Sequence, residues 1–111
     1  MAELIWTESA LEDLAAIADY IALENTEAAK SLVQRIFAHV ALLKQHPELG
    51  SRPPEIRRLR YRQIVEPPCR VFYHYEEPRV FILHVMHGEM RFRKSRLIQR
   101  EQKARKKIDQ K

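Results

Sequence analysis

The sequence predicts an α+β domain: an N-terminal strand, an antiparallel helical hairpin packed on a small, mostly antiparallel β-sheet, and a basic C-terminal tail or helix. Three observations carry this expectation. Apolar residues recur at three- and four-residue steps across residues 8–45, the period of amphipathic helices. β-Branched and aromatic residues crowd residues 69–88, CRVFYHYEEPRVFILHVMHG, as they do in paired strands. Between them, residues 46–54 (HPELGSRPP) hold three of the six prolines and one of the two glycines, a composition that breaks regular structure.

In chain order, residues 3–6 (ELIW) read as a short strand, and Thr7 as an N-cap whose hydroxyl accepts an orphan backbone N–H. Glu8 and Glu12 suit the positive end of the helix that follows. Leu11, Leu14, Ile17, Ala18 and Ile21 mark its apolar face, giving a helix over residues 8–23. Asn25 and Thr26 punctuate, and a second helix over 27–45 carries Ala29, Leu32, Ile36, Val40 and Leu43 on one side. A link this short makes the pair an antiparallel hairpin whose shared apolar stripe must cover something flat.

After the proline-rich turn, residues 56–66 (IRRLRYRQIVE) read as one strand or a bent pair, and Pro67-Pro68 separates them from a β-hairpin. Its strands, 70–75 and 80–86, flank the charged turn Glu76-Glu77-Pro78-Arg79. Strict alternation places Val71, Tyr73 and Tyr75 opposite to Arg70, Phe72 and His74. On the second strand it sets Phe81, Leu83 and Val85 against Val80, Ile82, His84 and Met86. A strand apolar on both sides is expected in the middle of the sheet.

Residues 89–111 hold ten Lys/Arg against three acids, with a thin stripe of Leu97, Ala104 and Ile108 at helical spacing. Such a helix is expected to fray, or to order only against a partner, with the residues past Arg100 flexible. The division expected is therefore a single domain over 1–93 and a basic extension over 94–111.

A chain of 111 residues with 45% hydrophobic content is one domain, short for an enclosed enzyme pocket. No run approaches the length of a membrane span, and the start, MAELIWTESALEDL, lacks a signal-peptide pattern, so a cytoplasmic location without membrane contact is expected. Cys69 is the single cysteine and reads as structural. The net charge of +5 hides a division: residues 1–50 sum to −5 and residues 51–111 to +10. A basic half this concentrated suits a polyanion or an acidic protein segment.

Trp6-Thr7-x-x-Ala10-x-x-Asp13-Leu14, Ile17-x-x-Tyr20-Ile21, the His46-Pro47-x-x-Gly50 turn, Arg57 to Leu59, Arg70-Val71-Phe72-Tyr73 and Val80-x-Ile82-Leu83-x-Val85-x-His87-Gly88 together resemble the ParE/RelE superfamily of toxins from bacterial toxin–antitoxin pairs, over about residues 3–93. The resemblance implies a helical hairpin on a curved antiparallel sheet, in agreement with the order read from periodicity. It also implies one of two targets. RelE-like members cut messenger RNA on the ribosome with basic residues and usually a tyrosine near the C-terminus, whereas ParE-like members poison DNA gyrase and cut nothing.

By the resemblance, Arg70 matches a sheet arginine of the RNases and Arg62 one of their lysines, while Ile64, Met90 and Arg96 stand where two further basic residues and the tyrosine belong. No tyrosine follows Tyr75. Cleavage through a 2′-hydroxyl needs a proton acceptor, positive charge at the phosphate and an acid for the leaving oxygen, and arginine supplies only the charge. The resemblance thus implies a ParE-like gyrase inhibitor with no catalytic residues and no cofactor. Its partners would be a cognate antitoxin that folds on binding, in a toxin–antitoxin hetero-oligomer, and gyrase, met by Arg70, His87, Arg91, Arg93, Lys94 and Arg96. The alternative is an mRNA endoribonuclease using Arg62, Arg70, Arg91, Arg93 and His87 on the ribosome, and a second alternative is a non-toxic basic nucleic-acid-binding module.

His74 and His84 read as sheet packing rather than metal ligands, and no metal site is expected. Tyr61, Tyr73 and Tyr75 alternate with residues that need burial and read as packing residues rather than base-stacking platforms. Arg70 is either a functional charge or a snorkelling arginine paired with a carboxylate such as Glu66.

Overall fold

The computed structural model describes residues 1–88 and 92–109. Strand β1 (Glu3–Trp6) leads into helix α1 (Glu8–Ala22), and α2 (Thr26–Ala41) follows, extended by a short 3-10 turn at Leu42–Lys44. Thr7 is the N-cap the sequence implies, its Oγ1 accepting from the Ala10 N–H, and Asn25 caps α2 in the same way, its Oδ1 accepting from the Ala28 N–H. Thr7 is used twice, because its hydroxyl also donates to Ile82 O at 2.8 Å and ties the start of α1 to the sheet.

Strands β2 (Arg62–Glu66), β3 (Cys69–Glu76) and β4 (Arg79–His87) complete a four-stranded sheet of order β1-β4-β3-β2. The β2–β3 and β3–β4 pairs are antiparallel, and β1 lies parallel to β4. The doubly apolar strand β4 is central, as its composition requires. Residues 56–61, read from sequence as part of a strand, instead leave a 3-10 turn at Pro54–Ile56 and fold as a loop over the sheet, with Ile56 and Tyr61 as buried anchors. Two prolines fix the turn's entry, and only 62–66 have a partner strand to bond.

Two apolar clusters sandwich the sheet. On one face Val71, Tyr73, Val80, Ile82 and Val85 pack under Ala10, Leu14, Ile17, Leu32, Ile36 and Val40 of the helical hairpin. On the other, Phe72, Phe81, Leu83 and Met86 pack under Ile56, Tyr61 and Leu97. Leu11, expected on the inner face of α1, is exposed and Ala10 takes its place, because Thr7 rotates the helix start onto β4.

Strict alternation holds along β3 and fails along β4. Phe72 pairs with His84 and Tyr73 with Ile82, so Leu83 is an extra residue opposite no partner, a β-bulge. Past it the phase inverts: Val85 joins Val80 and Ile82, and Met86 joins Phe81 and Leu83.

The basic C-terminal segment is helix α3 (Lys94–Asp109), which lies on the sheet rather than fraying. Leu97 is fully buried, and Ala104 and Ile108 are half-buried against the same cluster, so three well-spaced apolar residues suffice when their target is an otherwise uncovered sheet face. The turn at Gly50 is equally tight, since a Cβ there would stand 2.5 Å from Gln63 O and 2.8 Å from the Tyr73 ring. Gly50→Ala is therefore expected to destabilise the fold by about 1–3 kcal/mol in chemical denaturation. Leu97→Ala should cost about 2–4 kcal/mol by the same measurement, where a frayed α3 would predict almost no change.

Candidate target-binding surface

Two of the functional residues expected from sequence, Arg70 and His87, lie at one end of the sheet. Register places Arg70 beside Met86 and Cys69 beside His87, so the start of β3 and the end of β4 coincide. The Arg70 guanidinium stacks over the Phe72 ring at 4.8 Å, and Phe72 in turn meets Phe92 with ring centroids 5.2 Å apart. Phe92 leads directly into the Arg93–Arg96 stretch. Arg93 and Lys94 are exposed and Arg96 is half-buried, and none of the three has a carboxylate partner among the described residues. Arg91 lies outside the described residues.

Two of the expected cations are committed to the fold. Arg70 donates to both oxygens of Glu55, at 2.7 and 2.8 Å, and to Gln63 Oε1 at 2.8 Å. Its carboxylate partner is thus Glu55 in the loop over the sheet and not Glu66, which Arg35 and His39 of α2 hold. Arg70 holds Glu55 below the usual carboxylate range. Arg62 donates to Gly50 O at 2.8 Å and fastens the proline-rich turn. His87 is half-buried at the end of β4, its ring 6.1 Å from that of Tyr20.

The buried histidines, expected merely to pack, anchor α3 and α1. His84 Nδ1 lies 2.7 Å from Asp13 Oδ2 and 2.8 Å from Arg100 Nη1, and the same Asp13 oxygen accepts from Arg100 Nη1 at 2.6 Å and from the Val85 N–H at 3.1 Å. Burial would raise the Asp13 pKa, but His84, Arg100 and Val85 outweigh it and hold the group below the ordinary carboxylate range. The bulge explains the arrangement, because the phase change at Leu83 frees His84 from strict alternation.

His74 Nδ1 meets Glu101 Oε2 of α3, which also accepts from Arg105 Nε and Nη2 at 3.0 and 2.7 Å. Burial pushes Glu101 up, yet His74 and Arg105 together bring it to about 2. An ionised carboxylate only accepts, so Nδ1 of His74 must carry the proton. Tyr61, buried with its ring 5.7 Å from that of His74, is pushed up to about 12 by burial and then by Glu101. Tyr73 is also buried, its hydroxyl accepting from the Gly50 N–H and donating to Pro47 O. Both are therefore packing residues, as the alternation implies, while Tyr75 is half-buried. Burial likewise raises the Cys69 thiol to about 11, which suits a structural cysteine.

Among the described residues, donor atoms of His74, Glu76 and Glu101 lie within 4.8 Å of one another, a spacing a metal could use. Arg105 already bridges Glu101 and Glu76 there, so a metal would have to displace a guanidinium. No helix among the described residues is long and apolar enough to cross a membrane.

Sequence reasoning missed Asp13, Arg100, Glu101 and Arg105. The one available signal was the coincidence of Arg100-Glu101 with the Leu97/Ala104 stripe, which turns these polar residues toward the sheet.

Comparison with known proteins gives three concordant results. Residues 4–92 match the family described as ParE toxin of type II toxin-antitoxin system, parDE. The protein called Toxin RelE2 from Caulobacter vibrioides is 33% identical over 89 residues, covering 79% of this chain and 97% of that protein. A solved chain of the chromosomal ParDE TA system from P. aeruginosa superposes with a TM-score of 0.67 at 31% identity, over 80% of this chain and 98% of that one. The family match ends at Phe92, just before α3.

The depressed Glu101 pKa fixes a pH dependence. Its contribution is complete above the unfolded value of 4.5 and is lost as pH falls through about 2, with Asp13 acting in the same direction. Denaturation midpoints should therefore fall as pH drops from about 5 toward 2, by on the order of 3 kcal/mol for Glu101. Glu101→Gln should flatten that fall and lower stability at neutral pH.

Proposed function

The chain belongs to the ParE family of toxins from type II toxin–antitoxin systems, and from that premise we propose that it poisons DNA gyrase, cuts nothing itself, and is held inactive by a cognate antitoxin. The observation that carries this reading is exposed charge paired, among the described residues, with two histidines and two tyrosines of the sheet that are buried and committed to the fold. Arg93, Lys94 and Arg96 have no carboxylate partner among the described residues, while His74 and His84 are buried and spent on Glu101 and Asp13. Tyr61 and Tyr73 are buried and raised, and neither suits proton transfer near neutrality. A surface rich in cations and poor in acids and bases suits a binding poison.

The target-binding residues proposed are Arg91, Arg93, Lys94, Arg96 and His87, with Arg70 holding the stack behind them. The antitoxin supplies carboxylates to this cationic end and an apolar stretch beside it, ordering as it binds in a hetero-oligomer. The groove between α1 and β4, lined by Ala16, Ile17, Tyr20, Val85 and His87, offers that stretch an apolar floor. The protein acts in the cytoplasm, where gyrase and its DNA are.

The name of the Caulobacter relative favours a second reading, a ribosome-dependent RNase in which Arg62, Arg70, Arg91 and Arg93 hold the phosphate and His87 moves the proton. The two readings separate in parallel assays of purified protein. A gyrase poison abolishes supercoiling and leaves ribosome-bound message intact; cut message with unaffected gyrase would replace the first reading with the second. Arg93→Glu/Lys94→Glu/Arg96→Glu should weaken gyrase inhibition at least tenfold with a nearly unchanged denaturation midpoint, because none of these side chains has a hydrogen-bond or carboxylate partner among the described residues.

A further inference from the structure

The surplus of cations extends well beyond the residues named above. The loop over 52–60 and helix α3 cover the same face of the sheet, since Ile56, Tyr61 and Leu97 share one apolar cluster and Arg60 Nη2 lies 3.9 Å from Glu101. Arg57, Arg58 and Arg60 are exposed on the loop, and Arg93, Lys94 and Arg96 begin the α3 side. The carboxylates nearby are already claimed from inside. Glu55 is held by Arg70, Glu76 by Arg105, and Glu101 by His74 and Arg105. Glu8 of α1 is likewise held by Lys107 of α3, at 2.8 Å, while the helical hairpin on the other face of the sheet carries Glu12 and Asp19 on α1, Glu24 in the link and Glu27 on α2.

We propose that the face built from residues 52–60 and α3 binds the phosphate backbone of duplex DNA by charge, without reading sequence. The inference rests on the gyrase reading in taking DNA as the polyanion at hand, and it assigns the protein a direct DNA contact in addition to its protein target.

Three features select duplex DNA over other polyanions. First, the aromatic residues under this face are turned inward: Tyr61, Phe72 and Phe81 are buried, and Phe92 is half-buried against Phe72. A surface for single strands would present such rings to unstacked bases. Second, an acidic peptide anchors through apolar side chains, and no residue of the 52–60 loop lines either the groove between α1 and β4 or the one between β1 and α3, the latter edged by Arg100, Lys103 and Lys107. Third, the cations ride on fixed elements: Ile56 and Tyr61 pin the loop, and Leu97 pins a helix about 24 Å long. Fixed cations spread over that length match a stiff, regular row of phosphates. The acidic opposite face orients the approach by repelling the same backbone.

The test uses the purified full-length protein and labelled duplexes of about 20 base pairs in two unrelated sequences, read by fluorescence anisotropy between about 50 and 200 mM salt. Both sequences should bind equally, with log affinity falling against log salt at a slope steeper than about −3. Arg57→Ala/Arg58→Ala should flatten that slope by about two and weaken binding at least tenfold, while Arg57→Lys/Arg58→Lys keeps the slope. No binding at the lowest salt, or binding unchanged in the alanine variant, overturns the proposal. So does competition by single-stranded RNA or by polyglutamate of equal charge that matches or exceeds the duplex. Gyrase inhibition without DNA binding would remove this inference alone, and DNA binding without gyrase inhibition would remove the gyrase reading alone.

Discussion

The fold depends on burying both faces of β4. Val80, Ile82 and Val85 on one side and Phe81, Leu83 and Met86 on the other are almost wholly withdrawn from water. At about 25 cal/mol per Å² of apolar surface, neither face can be left wet in a domain of this size. The helical hairpin covers one face completely. The other has no second hairpin, and its cover is assembled from an irregular loop and one highly charged helix. That shortage explains why α3 docks in spite of its composition: the sheet lacks a better cover.

A charged helix on an apolar sheet brings a second problem, because some of its polar groups must go inside. The structure meets it by converging several partners on each buried carboxylate. Asp13 takes His84, Arg100 and the Val85 N–H, and Glu101 takes His74 and both ends of the Arg105 guanidinium. Buried pairs of this kind add little net stability relative to apolar packing, but breaking one leaves an uncompensated charge. They therefore fix where α3 sits more than how tightly it sits. The Asp13 cluster joins α1, β4 and α3 at one point, so the two layers on opposite faces of the sheet are registered to each other.

Much of this was legible from sequence, and the exceptions share a cause. The α+β class, both helices of the hairpin, the Thr7 N-cap and the central place of β4 follow from local period and composition, because the hydrophobic pattern there has no competitor. The β-bulge at Leu83 was hidden, since a strand apolar on both faces looks the same in either phase. Residues 56–61 have a strand-like composition, and only the tertiary fact that β2 begins at Arg62 makes them a loop. The carboxylate partner of Arg70 was misjudged: Glu66 is nearer in sequence, whereas Glu55 is brought alongside by the loop lying over the sheet. The role of α3 was the least legible. A stripe of three apolar residues is too thin to predict docking until the bare sheet face beneath it is known.

Helix α3 thus has two faces with separate duties, and this governs how any effect of mutating it must be interpreted. Leu97, Arg100, Glu101 and Arg105 look inward and act through the fold, whereas Lys94 and Lys106, with Arg93 just before the helix, are exposed and have no carboxylate partner among the described residues. The family match ends at Phe92, and both relatives are covered almost completely by about four-fifths of this chain. The inward residues of α3 therefore lie beyond the shared scaffold, yet they clasp Asp13, His74 and His84, which lie within it. An element outside the shared scaffold that is clamped to its buried polar groups cannot be removed without exposing them. Loss of activity on truncating α3 would for that reason report on the sheet as much as on the basic surface, and only charge changes on the outward face separate the two.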